Sequence, residues 1–156
     1  MDLSEIDQAA LERKAETLGR SLLNRSWRFA TAESCTGGWI AQVATAVPGS
    51  SEWFESGYVT YSNQSKIVLL GVDPILIEKY GAVSGEVAGA MSKGAKVLCK
   101  VDCAITVTGV AGPSGGSPEK PVGTVYFGLA ADSGVKVERK VFKGDREAVR
   151  AQTVMH

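Results

Sequence analysis

The sequence predicts an α/β fold, a three-layer α/β/α sandwich around a mixed β-sheet. Three observations lead there. Amphipathic stretches of helical period alternate with short apolar stretches rich in β-formers. Two of the apolar stretches, Arg28–Ala32 and Ala104–Thr108, each run into a glycine-rich turn, the arrangement that places a site where an open sheet ends. Two later β-rich stretches flank Asp132-Ser133-Gly134, a hairpin signal that adds antiparallel strands and makes the sheet mixed.

The elements follow in order. Leu3, Ile6, Ala10, Leu11, Ala15, Leu18 and Leu22 recur at helical spacing, so residues 3 to 24 are expected to form one amphipathic helix. Arg28–Ala32 is a short buried strand. Gly38–Val47 is a helix ended by Pro48-Gly49. Trp53–Tyr61, with its aromatic and β-branched residues, is a strand. A short helix is expected over 64 to 70. Asp73-Pro74 fits an N-cap followed by proline at the first helical position, opening a helix to Tyr80. Ser84 suits the cap of another, on which Val87, Met91, Ala95 and Leu98 share a face. Ala104–Thr108 is the next strand, Gly123–Ala130 and Val135–Val141 form the hairpin, and Asp145 caps a last helix. No linker or internal repeat is visible, so 1–156 reads as one domain.

Composition narrows the function classes. The chain has 156 residues, 44% of them hydrophobic, enough for a single core. Lys+Arg 17 balance Asp+Glu 17, so there is no polybasic footprint for nucleic acid. Apolar runs fall short of a membrane span, and the acidic start Met1-Asp2-Leu3-Ser4-Glu5 lacks a basic-then-apolar signal. The expected compartment is the cytoplasm. Cys35, Cys99 and Cys103 form no CxxC pair and read as reduced thiols. The single histidine, His156, excludes histidine-based triads and argues against zinc; no cofactor or metal is expected.

The richest stretch is Thr31-Ala32-Glu33-Ser34-Cys35-Thr36-Gly37-Gly38-Trp39, a strand breaking into a helix with a hydroxyl and two glycines at the break. Such a junction presents backbone N–H groups to an oxyanion or phosphate. The second glycine turn is Thr108-Gly109-Val110-Ala111-Gly112-Pro113. Taken as bare residues, Ser34 reads as an N-cap or a nucleophile, and Lys66 as a solvated helix lysine or a base. Tyr61 reads as a core aromatic or an orienting hydroxyl, and Cys35 as a small buried thiol or a nucleophile. Glu33 suits a pairing with Lys66 or with another nearby cation. Arg146 and Arg150, four apart, share a helical face that suits either a phosphate clamp or solvent.

Taken together, these motifs resemble the CinA C-terminal domain family. They are Thr31–Gly38, Gly57-Tyr58-Val59-Thr60-Tyr61-Ser62-Asn63 with Lys66, Gly81–Ser84, Thr108–Pro113, Lys120-Pro121-Val122-Gly123-Thr124, and Gly144-Asp145-Arg146 with Arg150. The resemblance covers nearly the whole chain. It implies a compact α/β/α enzyme that hydrolyses the amide of nicotinamide mononucleotide, or a similar small nucleotide, in pyridine-nucleotide salvage. It also implies a Ser–Lys dyad at Ser34 and Lys66, and a stand-alone form without the additional N-terminal domain of full CinA proteins. Family members usually extend the last helix by two or three turns, where this sequence stops at Met155-His156.

The chemistry suits the residues. Amide hydrolysis of this kind needs a nucleophile, a base and an oxyanion site. A lysine near its ordinary ~10.4 is protonated at neutral pH, so Lys66 needs burial or nearby cations to bring it toward ~7–8. The amides of Cys35 to Gly38 are candidates to hold the tetrahedral oxyanion. Tyr61 and Asn63 are expected to orient the base or bind substrate. Glu33, Thr36, Gly37 and Gly38 are expected to bind the substrate. Thr108, Gly109, Ala111 and Gly112 bring main chain close to ribose or phosphate, and Arg146 takes the 5′-phosphate. The alternative reading is a non-catalytic nucleotide-binding module with a competence- or damage-related regulatory role. A homodimer is the expected assembly.

Overall fold

The structure is a computed structural model that describes residues 5–156. Five strands form one sheet in the order β2-β1-β3-β4-β5. They are β1 (Phe29–Glu33), β2 (Phe54–Val59), β3 (Cys103–Gly109), β4 (Thr124–Ala131) and β5 (Gly134–Val141). β1 pairs in parallel with both β2 and β3, whereas β3–β4 and β4–β5 are antiparallel. The sheet is therefore mixed, as the hairpin signal predicts.

Six α-helices cover the described part of the sheet: α1 (Gln8–Asn24), α2 (Trp39–Ala46), α3 (Asn63–Leu70), α4 (Pro74–Tyr80), α5 (Gly85–Cys99) and α6 (Arg146–Met155). Val87, Met91 and Ala95 of α5 bury against Ala32 and Ala104 of the sheet, with Leu70 and Val72 beside them. On the opposite face Leu11 and Ala15 of α1 meet Val43 of α2, and Val154 and Met155 of α6 close onto them. Phe29 stacks on Trp53 at 5.7 Å between ring centres and meets Phe54 edge-on at 5.2 Å. Among the described residues no helix is long and apolar enough to cross a membrane.

Local chemistry explains the boundaries. The first helix begins at Gln8 rather than residue 3, because Asp7 caps it through a 2.7 Å bond from the Ala10 N–H to Oδ1. Leu3 lies outside the described residues, and Ile6 packs beside the helix start instead of belonging to it. Asp73, Ser84 and Asp145 cap α4, α5 and α6 as their sequence context predicts. Leu98 is the exception on the α5 face: it is 48% exposed while Val87, Met91 and Ala95 are fully buried. Seven residues after Met91 it falls about 20° short of two whole turns, and it is the second-last residue of the helix.

Candidate active site

β1 and β3 run side by side and end at one edge, with Glu33 opposite Val107. The chain leaves β1 toward α2 and leaves β3 toward β4, so a crevice opens between the two strand ends. Ser34 is the first residue beyond β1, and its N–H donates to the Val107 carbonyl at 3.1 Å. That bond holds the serine against the neighbouring strand.

Lys66 arrives from α3. Ser62 caps that helix through a 3.0 Å bond from the Ser65 N–H, which sets Lys66 in its first turn with the side chain folded inward. Lys66 is 1% exposed and Ser34 8% exposed. The ammonium Nζ lies 3.0 Å from Ser34 Oγ, 2.7 Å from the Thr60 carbonyl and 3.0 Å from the Tyr61 carbonyl. Three donors meet three acceptors. When the amine is neutral, its two N–H groups keep the carbonyls and its lone pair faces the serine hydroxyl. Burial lowers the Lys66 pKa from the ordinary 10.5, the direction a general base requires.

The turn after Ser34 is tied down on nearly every side. Gly37 N–H donates to Ser34 O at 3.1 Å and Trp39 N–H to Thr36 O at 3.1 Å. Glu33 is 1% exposed, and its carboxylate accepts from Thr36 Oγ1 at 2.6 Å, Ile40 N–H at 2.8 Å and Ala41 N–H at 3.0 Å. Glu33 thus caps α2 from seven residues upstream, a task the α2 N-cap residue Gly38 does not perform. Its oxygens are neither on Lys66 nor open to a ligand. Thr36 is fully buried, so neither its hydroxyl nor its amide meets the cavity. Gly37 and Gly38 adopt positive φ of 61° and 98°, which only glycine takes readily. They shape the turn but do not line the cavity. Of the four amides from Cys35 to Gly38, the Cys35 N–H is the one that belongs to a cavity-lining residue, and it meets no main-chain acceptor among the described residues.

The cavity beside Ser34 has a volume of about 200 Å³ and is bounded by Ser34, Cys35, Lys66, Tyr61, Asn63, Thr108, Gly109, Ala111 and Arg146, with Ala82 and Val83 opposite. Tyr61 stands at the rim, 62% exposed. Its hydroxyl accepts from Arg146 Nη2 at 3.4 Å, and its carbonyl is the part that touches Lys66. Thr108 Oγ1 donates to Ala82 O at 2.8 Å and so fastens the Gly81–Ser84 loop over the site. At Gly109 a Cβ would sit 2.8 Å from the Thr124 carbonyl, so β4 can pass this close only to glycine. Gly112 does not line the cavity; its carbonyl accepts from Arg146 Nη1 at 2.7 Å.

Burial also pushes the Cys35 thiol up to about 11, and it sits among Val107, Ala111, Val125 and Val149. It is a neutral, apolar thiol. A larger groove of about 880 Å³ shares Ala111 and Arg146 with the cavity and extends past Trp39, Pro113, Val122 and Arg150. Arg150 is no free phosphate clamp: its Nε donates to Cys35 O and its Nη2 to Thr36 O, each at 3.1 Å. Bare-residue reasoning gave no role to the Thr60 carbonyl or to Ala82 and Val83. The Gly81–Ser84 motif was the one visible signal for the latter pair. Among the described residues no group of three or more His, Cys, Asp or Glu side chains is placed to hold a metal ion.

Fold and site together define a three-layer α/β protein with a buried serine–lysine pair at the carboxyl edge of its parallel strands. The chain belongs to the CinA C-terminal domain family, which matches residues 11–156. It is 55% identical over 141 residues to the nicotinamide-nucleotide amidohydrolase PncC of Pseudomonas putida, covering 90% of this chain and 88% of that one. To PncC of Escherichia coli K12 it is 47% identical over 143 residues, covering 91% and 87%. A CinA-like protein of Geobacter sp. strain M21 is 56% identical over 125 residues, but there the match spans only 30% of a longer protein. Among solved structures, a competence-damaged protein (CinA) superfamily protein from Escherichia coli superposes with a TM-score of 0.90 at 34% identity, over 99% of this chain and 92% of that one. The competence/damage inducible protein CihA from Agrobacterium tumefaciens gives 0.89 at 38% identity, over 94% and 90%.

Proposed function

We propose that this chain is a nicotinamide-nucleotide amidohydrolase, converting nicotinamide mononucleotide and water to nicotinic acid mononucleotide and ammonia, and that 1–156 acts as one amidase domain. Similarity to the two PncC proteins over about nine-tenths of both chains supports the substrate. The single observation that carries the chemistry is the 3.0 Å approach of Lys66 Nζ to Ser34 Oγ, with both residues buried.

In this reading neutral Lys66 takes the Ser34 proton as Oγ attacks the carboxamide carbon. Negative charge gathers on the carboxamide oxygen, and the Cys35 N–H donates to it; one such donor is typically worth ~2.7–4 kcal/mol of transition-state stabilisation. The Lys66 ammonium then returns a proton to the departing amine, which leaves as ammonia. The Ser34 ester that remains is cleaved by water, with Lys66 again taking the proton and Ser34 Oγ leaving protonated. The cavity of about 200 Å³ receives the pyridine carboxamide. The ribosyl phosphate passes Asn63, Thr108 and Arg146 toward the larger groove, where the exposed Arg146 guanidinium meets the 5′-phosphate.

The test is ammonia release from nicotinamide mononucleotide without added metal. Ser34→Ala is expected to lower turnover by at least roughly 10³-fold with thermal stability retained. Wild-type rates in that variant would overturn the dyad. Nucleotide binding without ammonia from the wild type would make the chain a binding module.

A further inference from the structure

The most heavily constrained part of the site is the turn that carries Ser34, and one of its restraints comes from a helix that supplies nothing to the reacting pair. Arg150 lies on α6, one turn beyond Arg146. Its side chain is half-buried and crosses to the nucleophile turn, where Nε donates to Cys35 O and Nη2 to Thr36 O, both at 3.1 Å. The guanidinium carbon also sits 5.6 Å from the centre of the Trp39 ring, a stacking that fixes the plane of the fork.

The turn's carbonyls can be accounted for one by one. Ser34 O has the Gly37 N–H, and Thr36 O has the Trp39 N–H besides Arg150. Cys35 O has Arg150 as its sole partner among the described residues. Each peptide unit is planar with its C=O and N–H antiparallel. The Gly37 bond orients the unit that carries the Cys35 N–H, and the Arg150 fork orients the next two. The amide that faces the developing oxyanion is thus held from both sides of the Cys35 Cα.

We propose that Arg150 is a positioning residue for the nucleophile turn: by binding two successive carbonyls it aims the Cys35 N–H into the cavity. The inference rests on the reading of Ser34 as nucleophile. Arg150 touches neither Ser34 Oγ nor Lys66 Nζ, so its effect belongs to the transition state and not to substrate binding. Without it Cys35 O is left buried and unpartnered, and the turn gains its hydrogen bond by rotating toward water, carrying the amide off line. Lysine does not reproduce it, because an ammonium is a point donor without the planar fork that bonds the two carbonyls and lies over the Trp39 ring at once.

The experiment compares wild type, Arg150→Ala and Arg150→Lys in three measurements: steady-state turnover of nicotinamide mononucleotide, the rate at which a fluorophosphonate labels Ser34, and thermal unfolding. Each variant is assayed with and without millimolar guanidinium ion. In Arg150→Ala, kcat is expected to fall roughly 10²-fold with KM within about threefold. Labelling should slow in parallel, and guanidinium should restore part of both. Arg150→Lys should remain well below wild type, and it carries the comparison if the alanine variant does not fold. An unchanged kcat overturns the proposal. So does a rise in KM at full kcat, which would make Arg150 a substrate ligand. A loss that tracks Tm without guanidinium rescue overturns it too, as a purely structural role. If the wild type labels at Ser34 but releases no ammonia from the nucleotide, the substrate assignment fails while Arg150 is still judged on labelling.

Discussion

At Lys66 burial and hydrogen bonding pull against each other. Desolvation disfavours the ammonium, whereas three acceptors around Nζ favour it; burial wins, and the pKa falls below 10.5. In the proposed mechanism only the neutral amine accepts the Ser34 proton, so kcat/KM should rise with pH along one limb whose midpoint lies below 10.5. Lys66→Met should abolish that limb together with turnover. Stability is linked to the same proton. The folded-state pKa lies below the unfolded one, so this residue's contribution is full above the unfolded value and is lost as pH falls through the folded value. Denaturation measured across pH should therefore show wild type gaining on Lys66→Met as the medium becomes more alkaline. Cys35 makes the contrasting case. Its thiol stays protonated up to about 11, and in the proposed mechanism it is the main-chain N–H, not the sulfur, that takes part. Cys35→Ser should keep turnover within about threefold of wild type while losing ~1–3 kcal/mol of stability, since a hydroxyl replaces sulfur in an apolar cluster. A serine variant with no activity at full stability would make the thiol a participant.

Among the elements, α6 does the most at a distance. Arg146 ties it to Gly112 of the second glycine turn and Arg150 ties it to the first, so one helix fastens both walls of the crevice. Its start depends on Asp145, whose Oδ1 accepts from the Ala148 N–H at 2.9 Å. Asp145→Ala should cost ~1 kcal/mol, or roughly 2–4 °C in Tm for a chain of this size, whereas Asp145→Asn should cost little because asparagine caps equally well. Equal losses from the two variants, read by thermal unfolding, would mean that the capping bond is not what holds the helix start. α2 shows a different solution to the same problem. Its N-terminal amides are met by Glu33 from the end of β1, so the strand, the turn that carries Ser34 and the helix are bonded together as one piece.

For the whole molecule, the distance between α5 and the sheet decides whether the crevice keeps its shape. α5 lies across β3 and β4 so closely that Thr106 Oγ1 donates to Ala88 O at 2.8 Å. A Cβ at Gly128 would stand 2.6 Å from Thr106 Oγ1 and collide with the Ala88 carbonyl. Gly128→Ala therefore has to lift α5 or bend β4, at ~1–3 kcal/mol. Urea denaturation should show a lower midpoint for this variant at unchanged slope. Because the added methyl would meet Thr106 and Ala88 and neither Ser34 nor Lys66, residual activity at low temperature is expected. A midpoint equal to that of wild type would mean that the two layers can separate freely.

What could be read in the residues alone was what depends on short-range pattern. Helical period, caps at Asp73, Ser84 and Asp145, the Asp132-Ser133-Gly134 turn and the two glycine breaks each involve neighbours a few positions apart. They were enough for the mixed three-layer fold and for the stretches that carry the site. The motifs also singled out Ser34 and Lys66 as the pair of interest. Their 3.0 Å meeting across 32 positions was decided by the parallel pairing of β1 with β2 and by the turn that leads into α3. The same holds for Glu33, whose carboxylate reads as a ligand group until the fold turns it back onto α2, and for Arg150, whose partners lie 114 and 115 positions away. Local sequence sets the conformations a segment can adopt. Which acceptor a buried charge finally reaches depends on how the layers close, because only dehydration in the assembled crevice makes one partner preferable to water.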